Sequence, residues 1–293
     1  MNRWTLFVTK RFLFSRHSSG WIRVISGISI LGVAIGVMAL ITVISVMNGF
    51  EVHLRERILG MNAHIILESS SAIENYKETI VKLMTVDGVL GAAPYVRGQG
   101  LIRAGNRVSG IEVRGIDSAE EQSVSKLVDY IESGELRFDV EEENQDSGIV
   151  IGSELARVLS VGLADTVELI SPVFRNDSEG IPIPIMRSFT VTGIFSSGMY
   201  EYDSSVAYVS LAGAQEIFGV KNVVTGMSLK ITTPLRPKNI KNSIREKFPF
   251  PYWVKDWTDM NENLFSAMKM EKTVMFLILT LIIIVAALNI TST

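Results

Sequence analysis

Catalysis and metal binding usually rest on histidine, cysteine or paired carboxylates, and this chain offers few of them at useful spacings. Its 293 residues include 3 His and 0 Cys. His17, His53 and His64 are scattered, and no HExxH zinc helix occurs. Glu51 and His53 are two positions apart and so do not share a helix face. The cluster EVHLRER, Glu51 to Arg57, reads as a charged collar closing an apolar run; the alternative is a metal site. There is no GxxxxGK[ST] loop, so the chain does not bind ATP through a P-loop. Without Cys there is no disulfide framework, no thiolate chemistry and no cysteine for N-terminal lipid attachment. The expectation is a protein that is not an enzyme and that holds no metal or cofactor of its own.

Two other patterns do carry chemistry, that of packing and docking. Ser29, Gly32, Gly36 and Ala39 recur at spacings of three and four, which strips one helix face of bulk. Between helices in lipid, close backbone approach through small residues supplies packing energy, and Gly32 with Gly36 forms GxxxG. The alternative is that glycine is simply frequent in membrane helices. The stretch Ser171 to Ser188 holds Pro172, Pro182 and Pro184 beside Ile181, Ile183, Ile185, Met186 and Arg187. It reads as a long loop with an apolar, proline-stiffened tip suited to docking a partner, the alternative being a packed or floppy excursion.

The elements that position these residues begin with two apolar runs. No Asp, Glu, Lys or Arg occurs from Val24 to Phe50, a run longer than the roughly 20 residues that cross a bilayer as a helix. A second uncharged run occupies Thr273 to Thr293. The first is too long for a signal-peptide core, so an uncleaved anchor is expected. Arg3, Lys10, Arg11, Arg16 and Arg23 precede it with no acidic residue, which places the N-terminus in the cytoplasm and the segment after Glu51 outside. Residues 1–22 mix Trp4, Phe7 and Phe12 with these cations, as an interfacial amphipathic helix does; an unstructured basic leader is the alternative. The remainder is mildly acidic, which argues against a nucleic-acid partner.

The external part reads as two halves of one sheet. HIILE is a strand, Ala72 to Val86 a helix, and two strands follow near Ala92 to Ala104 and Arg107 to Ile116, turned at Gly105 and Asn106. Towards the end, Val223 to Thr232, Arg236 to Phe248 and YWVKDW read strand, helix, strand. Together these form a split βαβ arrangement, with about 117–221 inserted. Within the insertion, SAEEQSVSKLVDYIESG is expected to be helical, GIVIGSELARVLSVGLADTVELIS strand, helix and strand, and Glu141 to Glu143 a solvated loop or a contact for a basic partner.

Three stretches, ISGISILGVAIGVMALITVISVMNGFE, SSGMYEYDSSVAY and NLFSAMKMEKTVMFLILTLIIIVAALNI, resemble the lipoprotein-releasing ABC transporter permeases of the Lol system, LolC and LolE. The resemblance implies an α+β periplasmic domain, a split βαβ subdomain with an inserted smaller α/β subdomain, set between transmembrane helices of a multi-span inner-membrane protein. The expected division is 1–22 cytoplasmic helix, 23–49 first transmembrane helix, 50–116 first part of the periplasmic domain and 117–221 the insertion. Residues 222–270 would be its last part and 271–293 a second transmembrane helix cut short of the family's four spans.

The resemblance further implies a second permease subunit, as hetero- or homodimer, and a separate LolD-like cytoplasmic ATPase that holds ATP and Mg. Its substrates would be lipoproteins drawn from membrane lipid and passed to a LolA-like carrier. The loop 171–188 would be the hook that holds the carrier, through Pro172, Ile181, Pro182, Ile183, Pro184 and Arg187. Ser45, Met47, Asn48 and Phe50 would line the cavity for acyl chains. The rival reading is a two-span receptor with an external ligand domain.

Overall fold

The computed structural model describes Trp4 and residues 20–139, 147–176 and 182–292. The run Glu141 to Glu143, Ile181 and nearly all of the expected N-terminal helix thus lie outside the described residues. The first long helix, α1 (Gly20–Met61), does not end at residue 49 as the apolar run suggested. Glu51 and Leu54 to Arg57 are good helix formers, and Ile58 and Met61, one turn apart, are buried at 1% and 2% exposure, so packing carries the helix on. Contacts divide the chain into two compact units, Leu54–Met260 and Met1–His53 with Asn261–Thr293.

In the unit Leu54–Met260 the chain runs β1 (Ile65–Ile73), α2 (Tyr76–Met84), β2 (Val89–Ala104), β3 (Arg107–Ile116) and α3 (Ser118–Val124). A 3-10 turn (Leu127–Tyr130) leads to β4 (Ile131–Gly134), β5 (Gly148–Gly152), α4 (Ser153–Leu159), β6 (Thr166–Asn176) and β7 (Pro182–Phe195). Then come α5 (Tyr200–Ser205), β8 (Val206–Ser210), α6 (Leu211–Ile217), β9 (Val224–Ile231), α7 (Lys238–Lys247), β10 (Tyr252–Asp256) and α8 (Trp257–Met260). The strands form one mixed sheet in the order β10-β1-β9-β2-β3-β8-β5-β7-β4, with β6 pairing β2 and β7. The stretch β10-β1-β9-β2 is antiparallel throughout, the split βαβ arrangement read from the sequence.

Strand β8 of the expected insertion pairs in parallel with β3, so strands of 117–221 continue the same sheet. Alternation puts Ile65 and Leu67 of β1 into the core layer that also holds Leu83, Leu155 and Ile244. Ile66, on the other face, joins Met61, Tyr95, Val150 and Tyr208, residues from both sides of the insertion boundary. The expected single helix through SAEEQSVSKLVDYIESG is broken. Ser125 is extended at φ −127 and ψ 170. Its hydroxyl accepts the Leu127 N–H at 3.4 Å, a local bond that competes with the helix.

The other unit holds the first part of α1 and a helix α9 (Glu262–Ser292). Among the described residues, one stretch, Ile30–Met61, is long and apolar enough by composition to cross a membrane.

Candidate functional site

The segment expected as a loop is a two-stranded ribbon. β6 and β7 pair from Thr166↔Thr190 out to Asn176↔Pro182, while β6 pairs β2 only at Leu101↔Ile170, Ile102↔Leu169 and Arg103↔Glu168. Beyond Ile170 the ribbon therefore leaves the sheet. The register shifts between Ile170 and Phe174, where Ser171 is buried and its Oγ accepts the Val173 N–H at 3.1 Å. Pro172 sits in this bulge, where a residue without an N–H leaves no ladder bond unmade. Pro182 and Pro184 are two apart, so their missing donors lie on the same, outer edge of β7 while Ile183 keeps its N–H for pairing with Arg175. That edge is closed to strand addition.

Beside the ribbon lies a groove of about 770 Å³, walled by Leu101, Ile111, Ile170, Pro172, Phe174 and Pro184 with Gln99, Glu112 and Ser205 at its polar margin. Phe174 is 62% exposed, and Ile183 and Met186 are exposed too. Of the residues expected to dock a partner, Pro172 and Pro184 line the groove and Pro182 and Ile183 stand exposed on the ribbon. Arg187 is turned to Glu216 of α6 at 2.6 Å, both half exposed, so this pair adds little stability. Leu101, Ile111 and Phe174 escaped the sequence reading; only the aromatic beside the prolines hinted at them.

In the unit of α1 and α9 the expected residues separate as well. Met47 and Asn48 line a cavity of about 220 Å³ with Ile44, Met275, Phe276 and Leu279, next to Glu271 and Lys272. Glu51 and Lys272 form an ion pair. Ser45 and Phe50 are exposed and do not line this cavity. A four-residue helical repeat brings Ile44 and Asn48 to one face and turns Ser45 away. Of the small residues, Gly36 faces α9: a Cβ there would meet Ile282 Cγ2 at 3.5 Å, whereas among the described residues nothing lies within 4 Å at Gly32. Ala39 is exposed. The side chain of Ser29 lies outside the description.

The stretch SSGMYEYDSS folds against the end of α1 in the sheet unit. Asp203, 3% exposed, accepts the Ser197 N–H at 2.8 Å, the Ser197 hydroxyl at 2.7 Å and the Gly198 N–H at 3.2 Å. This nest presents the Gly198 carbonyl, which accepts from Arg57 Nη1 at 2.9 Å. Gly198 has φ +70, and a Cβ there would run into the Arg57 guanidinium, so both conformation and space require glycine. Tyr202 donates to the Asn62 side chain, and its ring lies 5.6 Å from the Arg114 guanidinium.

Charged pairs cross the sheet face beside it. Burial pushes the Glu68 carboxyl up, but Arg97, Lys255 and the Tyr95 hydroxyl outweigh it and hold it below the usual carboxylate value. Asp256 is likewise raised by burial yet held low by the Thr258 hydroxyl, the Asp259 N–H and Lys241. Burial lowers the His64 pKa, and its Nδ1 accepts the Ile231 N–H at 3.1 Å.

Comparison with known proteins adds to this geometry. Residues 26–247 match the family described as MacB-like periplasmic core domain. The chain is 35% identical over 283 residues, 96% of its length and 67% of the relative's, to a lipoprotein-releasing system transmembrane protein LolC of Xylella fastidiosa. It is 33% identical to the LolC of Neisseria meningitidis, covering 96% of the chain and 68% of the relative. To the LolE of Haemophilus influenzae it is 28% identical, covering 98% and 69%. Among solved structures, the extracellular domain of the ABC-type transporter YknZ aligns with a TM-score of 0.43 at 17% identity, covering 67% of this chain and 100% of that one.

Proposed function

Because the chain belongs to the LolC/LolE family of lipoprotein-releasing transmembrane proteins and to the MacB-like periplasmic core domain family, we propose that it is a permease subunit of an ABC transporter. It takes lipoproteins out of the inner membrane and passes them to a periplasmic carrier. The observation that carries this reading is 35% identity over 96% of the chain to a protein named for lipoprotein release. The rival two-span receptor finds no counterpart among these named relatives.

In this reading the apolar part of α1 and α9 are membrane spans, residues 1–22 stay on the cytoplasmic side, and Leu54–Met260 stands in the periplasm. The β6–β7 ribbon takes the carrier, since exposed apolar side chains next to an apolar groove suit a partner surface. The cavity at Met47 and Asn48 takes an acyl chain: Ile44, Phe276 and Leu279 supply an apolar wall, while Asn48 and the Glu51–Lys272 pair lie at a polar end. ATP and Mg bind a separate ATPase subunit, and a second permease completes the membrane assembly. The test is release of a radiolabelled lipoprotein from spheroplasts to added carrier, with photocrosslinkers at Ile183 and Met47. Carrier adducts from Ile183 and lipoprotein adducts from Met47 are expected. Release that persists without this chain would overturn the proposal.

A further inference from the structure

The last turn of α1 is held by a clasp. The segment of α3 and the following 3-10 turn lies over it, with the Lys126 N–H donating to the Gly60 carbonyl at 3.1 Å. A Cβ at Gly60 would collide with the Tyr130 hydroxyl, so the two surfaces touch directly. Leu127, 1% exposed, pins the segment in the same core layer as Met61. The backbone carbonyl of Tyr130 in turn accepts from Ser196 N–H at 2.9 Å, tying the clasp to the SSGMYEYDSS stretch.

One side chain of the clasp is a buried acid. Glu121, 8% exposed, lines a cavity of about 30 Å³ with Met61 of α1, with Asn62 just beyond it and with Arg114 and Tyr208 of the sheet. That space has room for a water or two. The cations in reach are already committed. Arg114 Nε donates to Glu112 Oε1 at 2.7 Å, and Arg97 of β2 is bound to Glu68. The other polar side chains lining this cavity are those of Tyr95, Tyr208 and Ser228, with the uncharged Asn62 just past the end of α1. On its own segment, the Ser125 hydroxyl donates to the Glu121 backbone carbonyl at 3.5 Å, and Asp117 and Glu120 carry like charge. A carboxylate here would be desolvated without a cation of its own, so the closed clasp favours the acid.

We propose that Glu121 is a proton-operated catch on α1: as the carboxylic acid it lets the clasp close on the last helical turn, and loss of its proton loosens that hold. The geometry accounts for the direction, because opening the segment hydrates the carboxylate. Burial pushes the Glu121 carboxyl up to about 7, against smaller opposing pulls from the Ser125 hydroxyl and the Arg114 charge. The catch therefore works in the range an extracytoplasmic domain meets.

The experiment is amide hydrogen exchange on the full chain in detergent micelles, read at Lys126 and Leu127 and corrected for the intrinsic pH dependence of exchange. Protection of these amides is expected to fall by roughly tenfold or more between about pH 5.5 and about pH 8 in the wild type, and to stay level in Glu121→Gln. Parallel profiles in the two proteins would overturn the proposal. Should Glu121→Gln fail to fold, the wild type alone decides: protection that does not change with pH overturns it.

Discussion

Replacing Asp203 by alanine tests whether the SSGMYEYDSS nest holds the end of α1. The carboxylate accepts three bonds, from the Ser197 N–H, the Ser197 hydroxyl and the Gly198 N–H, in a site only 3% exposed. The Ser197 hydroxyl has an alternative acceptor, the Met199 carbonyl at 3.4 Å, so its loss is partly recovered. The two backbone donors have none, and bonds to a charged acceptor contribute about 1.5–3 kcal/mol each. Asp203→Ala should therefore destabilise by about 4 kcal/mol, close to a thousandfold in the unfolding equilibrium. Asp203→Asn keeps one acceptor oxygen and should cost about half as much.

Urea unfolding followed by tryptophan fluorescence measures this, Trp257 being buried at 2% exposure. The exposed neighbour Glu201→Ala is the control, with an effect within about 0.5 kcal/mol. Exchange at the amides near Arg57 should rise in Asp203→Ala, because the Gly198 carbonyl it contacts at 2.9 Å loses its support. A cost below about 1 kcal/mol for the alanine variant would refute the reasoning, since it would mean the two N–H groups find water or other acceptors.

Further outcomes follow from other parts of the fold. Pro182→Gly with Pro184→Gly restores donors to the outer edge of β7 and frees the ribbon, so carrier capture in a pull-down should weaken several-fold with stability changed by under about 1 kcal/mol; undiminished capture would remove the ribbon from the docking surface. Gly36→Leu should lower the thermal midpoint in detergent, since Ile282 Cγ2 is 3.5 Å from the added Cβ, whereas Gly32→Leu should leave it unchanged; equal effects would refute the α1–α9 packing. Glu121, raised to about 7 in the fold, contributes stability that is fully present below its unfolded value and is lost as pH rises through about 7. Relative to Glu121→Gln, the wild type should lose about 3 kcal/mol across that window in urea titrations. Asp256 has the opposite sign. Its carboxyl is held low, so its contribution is present above the unfolded value and lost as pH falls, and Asp256→Asn should flatten the acid limb of the same titration.

Much of this protein is legible in one dimension. The uncharged run from Val24 to Phe50 dictates a helix by length and composition alone, because a chain in lipid has to satisfy its backbone internally. The short apolar run IIL, the alternation in YWVKD and the helical periods between them were enough for the split βαβ half of the sheet, because those signals are local. What failed was anything set by a partner far away in sequence. Three prolines made 171–188 look like a loop, yet two of them fall on a free edge and one in a bulge, where a missing N–H costs nothing; only the pairing of β6 with β7 decides that.

In the same way GxxxG marks a small-residue face, but which glycine is used depends on where Ile282 lies. Met47 and Asn48 share a cavity with Phe276 and Leu279, more than two hundred residues on, which no local pattern places there. Glu121 reads as an ordinary surface acid of a short helix. Its burial under α1, beside arginines already paired, is a property of the packed layer alone, since desolvation and charge depend on neighbours in space rather than along the chain.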